Sequence, residues 1–204
     1  MVRLYVAYFP EVAPAQDWLV SFRARHDPSA TLVAPHVTLV FPTEAISEET
    51  LVAEARAVAA ETAAFRAHFR IAMMMPEVAG ARMTSHIFLV PDSGLSEIVR
   101  LHDRLYAGRL RPQLRLDLPF IPHLTVAAGL DLGVAKTLVD EINTPGPDLR
   151  CEVDHLAVMS IDDARDGRRL VARLALARHE TGQAAIPSAS SAARTAGRDD
   201  SASK

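Results

Sequence analysis

Cysteine is nearly missing from this chain: Cys151 stands alone among 204 residues. A single thiol closes no disulfide within the chain, and no Cys-x-x-Cys pair offers a metal spacing. There is no His-x-x-x-His pair and no His/Asp cluster at ligand spacing, so no metal and no cofactor is expected. No apolar run reaches 18 residues, which argues against a membrane-spanning helix. Excess positive charge is missing too, because 22 Lys and Arg face 25 Asp and Glu. That balance speaks against a strongly basic nucleic-acid coat and leaves room only for a local basic groove. The opening MVRLYVAYFPEVAP is broken by Pro10 and Pro14, too early for a secretory leader. With one cysteine and no leader, a cytoplasmic setting is expected; a monomer is expected as well.

What remains is an ordinary globular composition, 49% apolar and 23% charged. A chain of this length buries about 70% of the surface its unfolded form exposes, so it needs no staple. Residues 179–204 differ. From Thr181 to Lys204, 12 of 24 residues are Ser or Ala and none is aromatic. Such a segment buries too little apolar surface to offset its ordering entropy, so a disordered tail is expected after a two-lobed domain over 1–178.

One phrase occurs twice. Pro35-His36-Val37-Thr38-Leu39-Val40 and Pro122-His123-Leu124-Thr125-Val126-Ala127 lie 87 positions apart, each in a β-favouring run. With 8 His and 11 Thr in 204 residues, chance yields about 0.4 His-x-Thr triplets (8 × 11/204), so one copy means little. Two copies with matching prolines and aliphatics mean more.

Around them the chain reads as α+β. Strands are expected over 2–9, 31–41, 65–75, 85–90, 114–129, 151–161 and 169–176. A helix over 15–25 would bury Trp18, Leu19 and Phe22. Ser47 reads as the N-cap of a helix with Leu51, Val52, Ala55, Val58 and Ala59 on its apolar stripe. Ser93 or Asp92 reads as the cap of a third helix, through Leu95, Ile98, His102 and Leu105. Asp131 reads as the cap of a fourth, through Val134, Leu138 and Ile142.

On a strand, residues i and i+2 share a face. His36 with Thr38, and His123 with Thr125, would each project together while the alternate aliphatics pack behind. Two facing imidazoles suit a reaction in which one proton is removed and another delivered, since histidine titrates near neutrality. Threonine hydroxyls can donate to the non-bridging oxygens of a phosphate ester. The competing bland reading is a pair of strand histidines satisfied by backbone partners.

These motifs and their flanks, PHVTLVFP and PFIPHLTV, resemble those of the 2H phosphoesterase superfamily, which includes the 2′-5′ RNA ligases and RNA 2′,3′-cyclic phosphodiesterases. The resemblance implies a bilobal α+β fold, two antiparallel-rich sheets with flanking helices around a central cleft. It implies metal-independent hydrolysis or transfer at 2′,3′-cyclic or 2′-5′ phosphodiester bonds, on an RNA end or a nucleotide. His36 and His123 would be the catalytic pair, and Thr38 and Thr125 would bind phosphate. Many relatives carry an arginine shortly after the second motif; here Ala127-Ala128-Gly129 stands instead. That departure motivates a rival reading, a catalytically weak RNA- or nucleotide-binding module.

Other residues rank lower. His86 is a candidate for the cleft edge, against a structural reading. His102 reads as helix packing, and His68 and His155 as structural or solvent-facing. Arg100, Arg104, Arg109, Arg111 and Arg115 form a basic run that could meet an RNA backbone, with a solvated face as the plainer account. Phe41 and Phe120 read as core that could also stack on a base. Asp162, Asp163 and Asp166 fit a hairpin turn better than a calcium loop. Met73, Met74 and Met75 read as strand packing.

Overall fold

The computed structural model describes residues 1–11, 17–164 and 167–177. The tail expected over 179–204, and Asp166, lie outside the described residues. Eight strands and four helices follow in the order β1 (Val2–Tyr8), α1 (Asp17–His26), β2 (Val37–Thr43), α2 (Glu48–Ala60), β3 (Phe65–Ala79), β4 (Arg82–Ser93), α3 (Leu95–Leu105), β5 (Leu124–Leu130), α4 (Leu132–Asn143), β6 (Leu149–Val153), β7 (His155–Asp162) and β8 (Gly167–Ala175). They build two four-stranded antiparallel sheets, β2-β1-β7-β8 and β5-β4-β3-β6. Among the described residues no helix is long and apolar enough to cross a membrane.

VRLYVAYF is apolar in both directions because β1 is a central strand with both faces covered. Leu4, Val6 and Tyr8 enter the main core, while Tyr5 and Ala7 join Ala157, Met159 and Ile161 in a smaller cluster on the other face. The two halves exchange helices. α1 leaves the first sheet and packs on β5, and α3 leaves the second and packs on β2. The Tyr8 hydroxyl donates to the Glu152 carbonyl (2.9 Å), tying β1 to β6 of the other sheet.

The duplication extends well beyond the motifs. In β2, Val37, Thr38 and Val40 pair with Tyr8, Ala7 and Val6, which leaves Leu39 as a bulged extra residue. In β5, Leu124, Thr125 and Ala127 pair with Leu89, Phe88 and Ile87, which leaves Val126 in the same role. A second slip follows in both, Thr43 against Leu4 and Leu130 against Ser85. A bulge bends its strand and re-aims the neighbouring side chains. Both motif strands are edge strands bent at the same two places.

Several expected boundaries move. Residues 31–36 and 114–123 are not strand; β2 and β5 begin directly after the two histidines. Proline at 35 and 122 carries no N–H for a ladder. Upstream, the chain folds on itself, Leu32 and Val33 donating to the Ser29 carbonyl at 3.0 and 3.1 Å. A short 3-10 turn, Arg111–Gln113, precedes the second motif. The 151–161 run divides at Asp154 into β6 and β7, which belong to different sheets.

Ser47 caps α2, accepting from Thr50 N, and Asp131 caps α4, accepting from Gly133 N. α3 departs from expectation, with Gly94 at its cap at φ +80 and no side-chain bond. A Cβ there would lie 2.6 Å from the Arg66 carbonyl oxygen, so both backbone angle and close approach demand glycine. Asp92 instead pairs with Arg70. On α4 the buried residues are Ala135, Val139 and Ile142, while Val134 faces solvent. Ile142 is buried and Leu138 packs partly against the core as the spacing suggested, and the stripe is widened by Ala135 and Val139 in place of Val134.

Candidate functional site

Each motif histidine occupies the residue before its edge strand, and each is held in the same way. His36 Nδ1 lies 2.9 Å from the Ala34 carbonyl oxygen, and His123 Nδ1 lies 2.6 Å from that of Ile121. A carbonyl only accepts, so Nδ1 carries the proton in both neutral rings and Nε2 is left with its lone pair. Thr38 lies opposite Ala7, on the face that carries Tyr5, and Thr125 lies opposite Phe88. Val37, Leu39, Leu124 and Val126 are fully buried in the main core behind them.

Aromatic rings fix the imidazoles from the side. Phe9 stacks on His36 with centroids 5.1 Å apart and planes at 28°. Phe88 stacks on His123 at 3.6 Å and 14°. His86 stacks on the far side of Phe88 at 5.9 Å. Offset stacking of this kind restrains a ring without removing its free nitrogen.

Two adjoining cavities of about 320 Å³ each hold the four motif side chains, and they hold them crosswise. One contains His36 with Thr125, and the other contains His123 with Thr38. His86 and Phe88 line both and form the wall between them. The first is polar, with Arg168, Ser29 and the Arg23–Asp27 pair. The second is mostly aromatic and apolar, with Phe41, Phe120, Met75 and Pro119. A larger cavity, about 750 Å³, lies between α1 and α4 and contains no motif residue. Size therefore does not mark this site; the convergence of polar groups does.

Burial lowers the pKa of both imidazoles, because desolvation penalises the charged form. His123 falls to about 4, with the charges of His36 and His86 pushing the same way against the Ile121 hydrogen bond. His36 is lowered by burial and by nearby Arg23 and Arg168, against the Ala34 hydrogen bond and Asp27. Both rings therefore favour the neutral form more than a free imidazole does.

Among lower-ranked residues, His86 does reach the cleft. Its Nε2 lies 2.9 Å from Glu77 Oε2, and its buried Nδ1 has no partner among the described residues. Phe41 and Phe120 are half-buried in the aromatic cavity, and Phe120 stacks on buried His102 at 3.7 Å. His102 is thus a packing residue. His68 pairs with Asp148 and buried His155 with Asp154, so both are structural. None of the five arginines from 100 to 115 lines either cavity, and Arg100, Arg104, Arg109 and Arg115 are paired with Glu97, Glu61, Glu54 and Asp117. Asp163 pairs with Arg3, Asp162 accepts from Ala164 N, and no metal-holding group of His, Cys, Asp or Glu occurs among the described residues. Met73 to Met75 lie on β3, and Met75 also lines the aromatic cavity.

Four contributors were not singled out from sequence: Tyr5, Phe9, Phe88 and Arg168. Tyr5 and Phe9 had a signal, since they sit on the second apolar face of the run VRLYVAYF. Arg168 had none.

A family model described as the 2′-5′ RNA ligase superfamily matches residues 10–165. A protein of Geobacillus sp. (strain WCH70) named "Putative phosphoesterase" is 31% identical over 127 residues, 61% of this chain and 68% of its own. A relative of the same description from Oceanobacillus iheyensis is 29% identical over 158 residues, 76% of this chain and 86% of its own. Among solved structures, apo LigT of E. coli superposes with a TM-score of 0.60 at 22% identity, covering 85% of this chain and 96% of its own. TT0787 of Thermus thermophilus does so at 0.60 and 20%, covering 85% and 97%. LigT complexed with 3′-AMP gives 0.57 at 20% identity, covering 86% and 98%.

Proposed function

The chain belongs to the 2′-5′ RNA ligase superfamily of 2H phosphoesterases, and from that premise we propose that it hydrolyses or transfers 2′,3′-cyclic or 2′-5′ phosphodiester bonds of RNA or small nucleotides. His36 and His123 are the catalytic pair, and Thr38 and Thr125 bind the phosphate. The observation that carries this reading is the crossed arrangement: two imidazoles locked through Nδ1, each in a cavity with the other motif's threonine.

In this scheme the phosphorus sits at the junction of the two cavities. Its negative charge raises the pKa of a neighbouring imidazole, so one ring takes up a proton on binding. The other, still neutral, accepts a proton at Nε2 from the attacking water or hydroxyl. The protonated ring delivers its proton to the departing oxygen. The rings approach from opposite lobes, as in-line displacement requires. Thr38 and Thr125 donate to the non-bridging oxygens, where charge is held in the transition state. The aromatic cavity suits a nucleobase, with Phe41 and Phe120 as stacking surfaces. Both proton transfers fall to imidazole, so the scheme contains no step for a metal ion. The partner is an RNA end or nucleotide bearing a cyclic phosphate, and the expected setting is the cytoplasm.

The deciding assay is 2′,3′-cyclic nucleotide hydrolysis with EDTA present, in wild type, His36→Ala and His123→Ala. Turnover in EDTA that is lost in both variants is expected. Activity abolished by EDTA, or surviving both substitutions, refutes the scheme.

A further inference from the structure

The proposed reaction leaves a charge unaccounted for. A phosphodiester is an anion, yet burial disfavours the charged form of both motif imidazoles before it binds. An anion entering a half-enclosed cleft needs a cation or several donors to replace its water. Arg23 lies in the wall of the His36 cavity but is already engaged. Its guanidinium is buried against Asp27 (2.7 Å) and donates to the Val33 carbonyl (3.0 Å). Asp27, the carboxylate of that wall, also accepts from Ser29 N.

Arg168 is different. It lies opposite Ile161 on β7, on the face that carries Tyr5 and Met159, and it lines the cavity of His36 and Thr125. Its neighbours on β8 are paired outward, Arg169 with Glu48 (2.6 Å) and Arg173 with Glu11 (3.9 Å). No ion pair of Arg168 occurs among the described residues, and Asp163, the carboxylate that feels its charge, is itself paired with Arg3 (2.5 Å). Across the cavity stands Ala128, whose methyl group leaves room for a long side chain. The buried Tyr5 hydroxyl lies beside Arg168, whose side chain and charge pull its pKa down against the larger upward push of burial.

Building on the reading above, we propose that Arg168 is the phosphate-binding cation of this site, delivered from β8 across the cleft to the oxygens that Thr125 also contacts. A guanidinium can meet two phosphoryl oxygens at once through its planar fork, which an ammonium cannot. Its fixed charge also adds a small push to the one that burial gives His36 toward the neutral form, which can accept a proton.

The test measures turnover of a 2′,3′-cyclic nucleotide and binding of adenosine 2′-monophosphate by calorimetry, in wild type, Arg168→Ala, Arg168→Lys and Arg168→Ala/Ala128→Arg. In Arg168→Ala, kcat/KM falls on the order of 100-fold, and binding of the monophosphate weakens in step. Arg168→Lys recovers part of the loss. The double variant recovers more than Arg168→Ala alone, because it returns a cation to the same cavity from the opposite wall. The His36 pKa, followed by NMR, rises when Arg168 is removed. Wild-type turnover with Arg168→Ala within threefold of it overturns this proposal and leaves the phosphodiesterase reading standing. A wild type that turns over nothing but binds the monophosphate through Arg168 overturns that reading and upholds the anion site. A wild type that neither turns over nor binds overturns both.

Discussion

The two motif strands are the same object in backbone and different objects in chemistry. Val37–Thr43 and Leu124–Leu130 share the same sequence of buried and half-buried positions, the same two register slips and the same Nδ1 lock on the preceding histidine. Around them the side chains diverge. Aligning the register of β1 with that of β4 places Tyr5 where the other lobe has His86. His36 faces a polar cavity with Arg168, and His123 faces an aromatic one. A duplicated scaffold therefore offers symmetric positions for two imidazoles, while unequal surroundings make the two sides of the cleft unequal.

The most severe way to test the symmetry is to remove one proton carrier at a time. His36→Ala and His123→Ala should each lower kcat on the order of 10³-fold, and the double variant should be little worse than the poorer single, because the pair acts as a unit. Additive losses, read by steady-state kinetics, would mean that the histidines work independently.

Next come the threonines. Thr38→Val and Thr125→Val keep shape and remove the hydroxyl, and each should cost roughly 100-fold in kcat/KM. If Arg168 shares the oxygens that Thr125 contacts, Thr125→Val should be the milder of the two. A milder Thr38→Val would reverse that assignment.

The third test concerns protons and stability. The folded pKa of His123, about 4, lies below the ordinary value of 6.5. Between those two values the unfolded chain binds more protons, so stability is complete above pH 6.5 and declines as pH falls toward 4. The loss attributable to His123 is about 3 kcal/mol at the bottom of that window. His123→Gln should flatten the pH dependence of the denaturation midpoint over pH 4 to 6.5. An unchanged slope would show that the ring is better solvated than its surroundings indicate.

The smallest expected effect probes the scaffold. Ser47 and Asp131 cap the helices that follow the two motif strands. Ser47→Ala and Asp131→Ala should each lower stability by about 1 kcal/mol, without altering kcat. A loss of activity from one cap alone would show that one lobe depends on its helix more than the other.

Much of this was legible from local pattern. Ser47 and Asp131 announced their helices, because capping is a contact within one turn. VRLYVAYF announced a central strand, because both faces are apolar. Leu32 and Val33 misled, since their β-favouring side chains sit in a turn set by the Arg23–Asp27 pair and the Ser29 carbonyl. The α3 cap misled as well. Ser93 and Asp92 are good capping residues, but the close approach of Arg66 and Ala67 admits only glycine at the cap.

By itself the sequence determined the two Pro-His-x-Thr phrases, the aliphatics that anchor them and the caps of the helices beyond. Each of these depends on residues a few positions apart, where spacing dictates which face a side chain occupies. Only the tertiary structure decided that His36 shares a cavity with Thr125 and His123 with Thr38, that His86 stands between them and that Arg168 enters from β8. It also decided that burial lowers the pKa of both imidazoles. Those outcomes depend on which strands pair and on how much water each pairing excludes, and no local pattern in the chain encodes either.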